Sequence, residues 1–168
     1  TSGSTGMPKG VAVSHGPLVA HIIATGERYE TSPADCELHF MSFAFDGSHE
    51  GWMHPLINGA SVLIRDDSLW LPEYTYQQMH RHNVTMAVFP PVYLQQLAAH
   101  AERDCNPPQV RVYCFGVASV AQASYDLACL ALTPPYLFHV YGPTAPFVPL
   151  LLLQARKADP SGAVYAPL

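Results

Sequence analysis

The residues from Thr1 to Gly10 concentrate the groups that can hold an anion. Gly3, Gly6 and Gly10 admit backbone conformations closed to other residues, so successive N–H groups can turn inward around a phosphate. Ser2, Ser4 and Thr5 add short hydroxyl donors, and Lys9 adds a positive charge. The spacing is not the Walker pattern, which needs Gly, four residues and then Gly-Lys-Ser/Thr. The plain alternative is a flexible polar segment. Further on, Asp46 and Glu50 are four residues apart, so one helical turn would bring both carboxylates to a similar side. Asp46 also stands where a helix N-cap belongs, and Glu50 could be a solvated helix carboxylate. Ser48-His49 beside Asp46 holds the residue types of a serine hydrolase. Adjacent residues seldom reach triad geometry, however, and the chain has no Gly-x-Ser-x-Gly elbow.

The elements that must position these groups alternate between apolar runs and amphipathic stretches, which predicts repeated β–α units and a largely parallel sheet. Strands are expected at Gly10 to Ser14, Cys36 to Ser42, Ser61 to Arg65, Val84 to Phe89, Val110 to Phe115 and Tyr136 to Tyr141. The apolar run Phe147 to Leu153, interrupted by Pro149, reads as a further strand. Helices are expected at Gly16 to Glu30, Asp46 to Asn58, Pro72 to His82, Pro91 to Arg103 and Ala121 to Leu132. In the second helix Trp52, Leu56 and Ile57 are spaced for one face; in the fourth Leu94, Leu97 and Ala98 point inward. Ser32-Pro33 marks a turn or helix start, and Asn58-Gly59 a helix stop. The expected fold is an α/β layered sheet of roughly six to eight strands flanked by helices, flavodoxin-like or Rossmann-like. Ligands gather at the carboxyl ends of strands in such sheets. Phe45-Asp46, Cys114 to Gly116 and Tyr141-Gly142 all fall there.

A chain of 168 residues fits one domain, here residues 1–168, and its apolar fraction of 49% is enough for a core. The net charge of −5 offers no basic footprint for nucleic acid. No apolar run approaches a membrane span, and no signal peptide opens the chain. Cys36, Cys105, Cys114 and Cys129 form no CxxC pair and fit reduced thiols in a cytoplasmic protein. His80 and His82 have no cysteine or carboxylate cluster around them, so no metal site is expected. The chain opens within its phosphate loop and stops at Leu168 without a clear terminus, which reads as an excised piece of a larger enzyme.

Three stretches, in order, carry a family resemblance. Thr1 to Gly10 resembles the phosphate-loop signature of adenylate-forming enzymes. Phe45-Asp46-Gly47-Ser48 resembles their Phe-Asp-x-Ser segment, and Tyr141-Gly142-Pro143-Thr144 the core of their Asn-x-Tyr-Gly-Pro-Thr-Glu segment. The chain is most similar to the adenylation domains of nonribosomal peptide synthetases, particularly pyoverdine-type siderophore synthetase modules. The resemblance implies that Asp46 pairs with the α-ammonium group of an amino-acid substrate, where a desolvated cation needs a compensating charge. It implies a pocket residue at Glu50, a second acid that would suit a basic side chain such as ornithine, lysine or diaminobutyrate. Gly47, Val88, Cys114, Gly116, Val140, Val148 and Pro149 fall near other pocket-lining positions, with the glycines leaving room for a long substrate. Core packing is the alternative for the apolar ones. Ser2, Gly3, Ser4, Thr5, Gly6 and Lys9 would contact or cover the ATP phosphates. Tyr141 would lie near the adenine, and Thr144 would face phosphate and Mg2+. In such enzymes an amino-acid carboxylate attacks the α-phosphate of ATP, and the aminoacyl group passes to a carrier-protein thiol.

The pattern also breaks. His139 stands where the family has Asn, and Ala145 where it has a magnesium-associated Glu; alanine ligates no cation. Gly116-Val117-Ala118-Ser119 lacks the expected acid, and the ribose-binding Thr-Gly-Asp segment and the domain bearing the catalytic lysine are absent. Losing one charge-stabilising group costs on the order of a hundredfold in rate. The expectation is therefore a substrate-selecting subdomain with no catalytic residues of its own and no cofactor when alone. Its partners would be the remaining adenylation-domain parts and a carrier protein, with self-association left open by newly exposed faces. The competing reading is a redesigned or degenerate α/β scaffold that binds no substrate.

Overall fold

The computed structural model describes residues 6, 7, 10–116, 121–141 and 151–155, the last segment and residue 141 as backbone only. Within them the chain runs α1 (His15–Arg28), β1 (Cys36–His39), α2 (Gly47–Ile57), β2 (Ser61–Ile64), α3 (Pro72–Arg81), β3 (Met86–Phe89), α4 (Pro91–Asp104), β4 (Val112–Gly116), α5 (Gln122–Leu132), β5 (Tyr136–Tyr141) and β6 (Leu151–Ala155). Local chemistry sets the ends. Pro72 and Pro91 open α3 and α4, where a missing N–H costs no helical bond. Arg28 and Arg103 sit in last turns, against the negative end of the helix dipole. Cys105 and Thr133 close α4 and α5 in the left-handed region.

The six strands form one sheet in the order β2-β1-β3-β4-β5-β6, with β5–β6 antiparallel and every other pair parallel. The order 2-1-3-4-5 of the parallel part is the flavodoxin-like one, as expected from the sequence. The chain reverses its direction of growth between β1 and β3, the place where ligands bind at the carboxyl ends of open α/β sheets.

Strand alternation sorts the two faces. Leu38, Ala87, Phe89, Tyr113, Phe115 and Leu137 join the main core with Met79, Leu94, Leu97 and Ala98 of α3 and α4 and Ala128 of α5. Met86, Val112, Cys114 and Phe138 face the other way, packed with Tyr29 at the end of α1. All of β4 is buried, as a central parallel strand covered on both faces requires.

Two expectations fail. Gly10–Ser14 forms no strand: Val11 is exposed, the segment joins no ladder, and Ser14 is already the extended N-cap of α1. The proposed apolar face of α2 is split: Trp52 is half-buried, but Leu56 and Ile57 are more than half exposed. The helix instead buries Ser48, Gly51, His54 and Pro55. The strand beneath it explains why, because β1 turns Glu37 and His39 to that face. A side chain on Gly51 would meet both of them at 3.4 Å. β5 has its expected limits; β1, β2 and β3 are one to three residues shorter than expected at one end, β4 starts two residues later and ends one later, and β6 runs two residues past Leu153, with residues 147–150 outside the described part.

A polar clamp joins the amino ends of three strands. Arg111, before β4, donates from Nε and Nη2 to the two carboxylate oxygens of Asp35 at 2.8 and 2.7 Å. Thr85, before β3, donates to Asp35 Oδ1 at 2.7 Å. Burial alone would raise the Asp35 carboxyl, but the hydrogen bonds from Arg111, Thr85 and the Ser32 backbone hold it well below the usual range.

Candidate functional site

The loop from Phe40 to Asp46 leaves the carboxyl end of β1 and enters α2, so the Phe-Asp-Gly-Ser segment stands at the point where the sheet reverses direction. Asp46 is half-buried and caps α2: its Oδ1 accepts from the Gly47 N–H at 2.9 Å. The cap role is therefore present, on a residue still partly open to solvent. Ser48 donates its Oγ proton to the Phe45 carbonyl at 2.6 Å and is buried. His39 donates from Nε2 to the Ser48 backbone carbonyl at 3.1 Å. Ser48 is thus tied into the turn, its hydroxyl proton held by a backbone carbonyl.

Four other expected pocket residues come together on the α1–α2 face. Val88 and Cys114 are register partners on β3 and β4, and Gly116 and Val140 on β4 and β5. Their alternation puts all four on the side of the sheet that Tyr29 covers. Cys114 is buried and donates from Sγ to the Tyr29 hydroxyl at 3.2 Å. Burial pushes its thiol well above the usual range. Gly116 does not provide open space: a Cβ there would lie 2.3 Å from the Val140 carbonyl oxygen. The glycine is required by the neighbouring strand's backbone. Gly47 is exposed, with only the Met41 methyl 3.1 Å from where a side chain would start.

Glu50 is engaged from α1. Its Oε2 accepts from His21 Nε2 at 2.6 Å, and its Oε1 from the Tyr29 hydroxyl at 3.3 Å. Beneath it, Glu37 Oε2 lies 3.2 Å from His54 Nε2, both side chains almost fully buried. His54 Nδ1 donates to the Glu50 backbone carbonyl at 3.0 Å. Burial, reinforced by Glu50 and Asp35, pushes the Glu37 carboxyl well above its usual range, and burial pulls the His54 imidazole below its own. His21, Tyr29, Glu37 and His54 were not among the sequence candidates. One signal was available, an acid at an alternate position in a strand covered on both faces, where charge is costly.

Of the nucleotide-site candidates, Gly6 is described, exposed and at a φ of +86°, in the left-handed region a phosphate-wrapping loop uses. Tyr141 ends β5 and pairs with Leu151. Ser2, Gly3, Ser4, Thr5, Lys9, Thr144, Val148, Pro149 and Ala145 lie outside the described residues. His139, in the family's Asn position, stacks flat on Phe115 at 4.9 Å. On the opposite face, α4, α5, β4 and β5 enclose an apolar crevice of about 10 Å³, the room of a single water. Among the described residues no three of His, Cys, Asp and Glu converge as metal ligands, and no helix is long and apolar enough to cross a membrane. The four cysteines are thiols, none joined in a disulfide.

The profile of the AMP-binding enzyme family matches residues 1–164. The chain is 30% identical to bacitracin synthase 3 of Bacillus licheniformis over its full length and 3% of that protein's. It is 31% identical to vanchrobactin synthetase VabF of Vibrio anguillarum over 86% of its own length and 5% of that protein's. It therefore spans only a few per cent of these synthetases. Among solved structures it superposes on the Klebsiella oxytoca NpsA N-terminal subdomain in complex with 3-hydroxybenzoyl-AMSN with a TM-score of 0.79 and 22% identity, covering 92% of this chain and 38% of that one. On the nonribosomal peptide synthetase FmoA3 in its alpha-methyl-L-serine-AMP bound form the TM-score is 0.83 at 24% identity, covering 92% and 18%. With a matching profile along nearly its whole length, the chain belongs to the AMP-binding enzyme family, and it is similar in fold to the NpsA N-terminal subdomain and in sequence to short stretches of these synthetases.

Proposed function

We propose that this chain is the substrate-selecting part of an amino-acid-activating, aminoacyl-adenylate-forming enzyme, that it recognises a basic amino acid, and that it does not catalyse adenylation alone. The observation that carries the reading is the pair of carboxylates on the first turn of α2, at the carboxyl end of β1 where the sheet changes direction. Asp46 would hold the α-ammonium group and Glu50 the side-chain cation. Two partly buried acids one helical turn apart would favour a ligand with two positive charges over a neutral one.

The donor chemistry of Ser2, Gly3, Ser4, Thr5, Gly6 and Lys9 fits the phosphates of ATP, with Tyr141 and Thr144 completing the nucleotide site. Mg2+ would arrive on the nucleotide, since it is commonly held by phosphates and one or two carboxylates. The substrate carboxylate and the α-phosphate are both anionic. Lys9 and the loop N–H groups would contribute by neutralising charge and fixing approach. Ala145 leaves a carboxylate of the family motif unfilled. The carrier protein and the remaining adenylation-domain parts would be partners in the larger enzyme. The likeness to FmoA3, solved in an alpha-methyl-L-serine-AMP bound form, supports an aminoacyl nucleotide as the species formed there.

One observation favours the second reading, a scaffold without substrate affinity: the Glu50 carboxylate already has His21 and Tyr29 as partners. Calorimetric titration with ornithine, lysine, diaminobutyrate, leucine and ATP–Mg2+ separates the two. Saturable binding of a basic amino acid that disappears in Asp46→Ala, with no pyrophosphate released, is the expected result. Equal binding of leucine would sink the basic-substrate reading. Silence from a chain that unfolds cooperatively would establish the scaffold.

A further inference from the structure

The region under Glu50 holds a second acid that substrate recognition does not use. Glu37 is 1% exposed on β1 and His54 is fully buried on α2. Because the Glu50 carbonyl can only accept, the bond at 3.0 Å places a proton on His54 Nδ1. His54 Nε2 then faces Glu37 Oε2 at 3.2 Å. Neither atom has a hydrogen-bond partner of ordinary geometry among the described residues, and the polar atom each one faces is the other. A bare carboxylate opposite an imidazole lone pair would be repulsive and unsolvated, so the short contact calls for one proton held by the pair. The pair is electrically neutral overall whether that proton rests on oxygen or nitrogen.

We infer that Glu37 and His54 form a buried proton-sharing pair that positions Glu50. The mechanical link is the Nδ1–H bond to the Glu50 backbone carbonyl, which holds the first turn of α2 at a set height above β1. That height keeps the Glu50 carboxylate within reach of His21 and Tyr29 on the α1 side. The charged and titratable groups around the pair are Glu50 on α2, His21 and Tyr29 from the α1 side, Asp35 before β1 and Cys114 on β4. The acids among them would repel an unprotonated Glu37, which favours retention of the shared proton. Glu37 and His54 are positioning residues, and their importance for selectivity rests on the reading of Glu50 as the acid that meets the substrate side chain.

The test uses the whole chain labelled with 15N and 13C, without ligand. In the parent, His54 is expected to show a protonated Nδ1, a hydrogen-bonded Nε2 and no titration between about pH 5 and 8, the range in which an ordinary histidine changes charge. A normal titration of His54 would overturn the pair. Glu37→Gln keeps a donor toward Nε2 and should preserve the His54 and Glu50 signals. Glu37→Leu removes it. There, exchange of the Nδ1 proton should quicken about tenfold or more, as expected on losing one buried partner, and the Glu50 carboxyl and His21 Nε2 signals should shift. Unchanged Glu50 and His21 signals in a folded Glu37→Leu would refute the positioning role. Should that variant not fold, the parent titration decides the shared proton, and Glu37→Gln displacing the Glu50 signal would refute positioning. A parallel titration with diaminobutyrate addresses Glu50 itself: no binding by the parent overturns its substrate role and leaves the spectroscopic result on the pair standing.

Discussion

Gly116→Ala separates two explanations of a glycine in the candidate pocket, room for a substrate or room for a backbone. The new Cβ would start 2.3 Å from the Val140 carbonyl oxygen and 3.2 Å from the Val140 carbonyl carbon, where real contacts do not fall below 3.0 Å. No flexible side chain can move aside, because the obstacle is β5 itself. Restoring contact distance requires the strands to part locally by about 0.7 Å, which stretches an ordinary N–H···O bond beyond its useful range. One or two ladder bonds at about 1 kcal/mol each are then weakened, with overpacking strain of about 1–3 kcal/mol in addition. Alanine returns about 0.4–1 kcal/mol by restricting the unfolded chain. The net expectation is a loss of about 1–4 kcal/mol, or a urea midpoint lower by roughly 0.5–2 M for a typical slope. Trp70 fluorescence and far-ultraviolet dichroism should report the same midpoint. Gly47→Ala is the control: its Cβ meets only the end of Met41, so the change should stay within about 0.5 kcal/mol. A Gly116→Ala chain as stable as the parent would refute the argument and restore the open-pocket explanation.

Asp35→Ala should cost about 3 kcal/mol near neutral pH by stranding Arg111. The folded carboxyl lies below its unfolded value, so its contribution is complete above about pH 4 and fades as acid takes the pH lower. Urea titrations at both ends of that window should show the gap between variant and parent narrowing in acid; a constant gap would contradict the linkage. Tyr113→Phe should leave the melting temperature unchanged or raise it, because the buried hydroxyl has no hydrogen-bond partner among the described residues. A large loss would mean that the hydroxyl is satisfied after all. With a thiol reagent, exposed Cys105 should react in the native chain while buried Cys114 waits for unfolding. Comparable native rates, read by peptide mass mapping, would show that the α1–α2 face opens freely.

Much of the fold is legible in the sequence, for local reasons. Pro72 and Pro91 announce helix starts, Asn58-Gly59 a stop, and the alternation of apolar runs with amphipathic stretches a parallel sheet. The end of the sheet where ligands are expected followed from the predicted succession of β–α units, and the motifs around Gly3, Asp46 and Tyr141 from the family resemblance. What the sequence could not decide was how one element's face meets another's. Val11 to Val13 has strand composition, but a strand exists only where another strand offers a ladder. Leu56 and Ile57 suggested the inner face of α2, yet Glu37 and His39 on β1 draw its polar side inward, and Gly51 allows the close approach. Gly116 carries no mark of the Val140 carbonyl beside it, and Glu50 none of His21, 29 residues away. Backbone preferences and hydrophobic periods are properties of neighbouring residues and can be read in order. Burial, proton sharing and ion pairing depend on distances across the chain, and only the packed structure sets them.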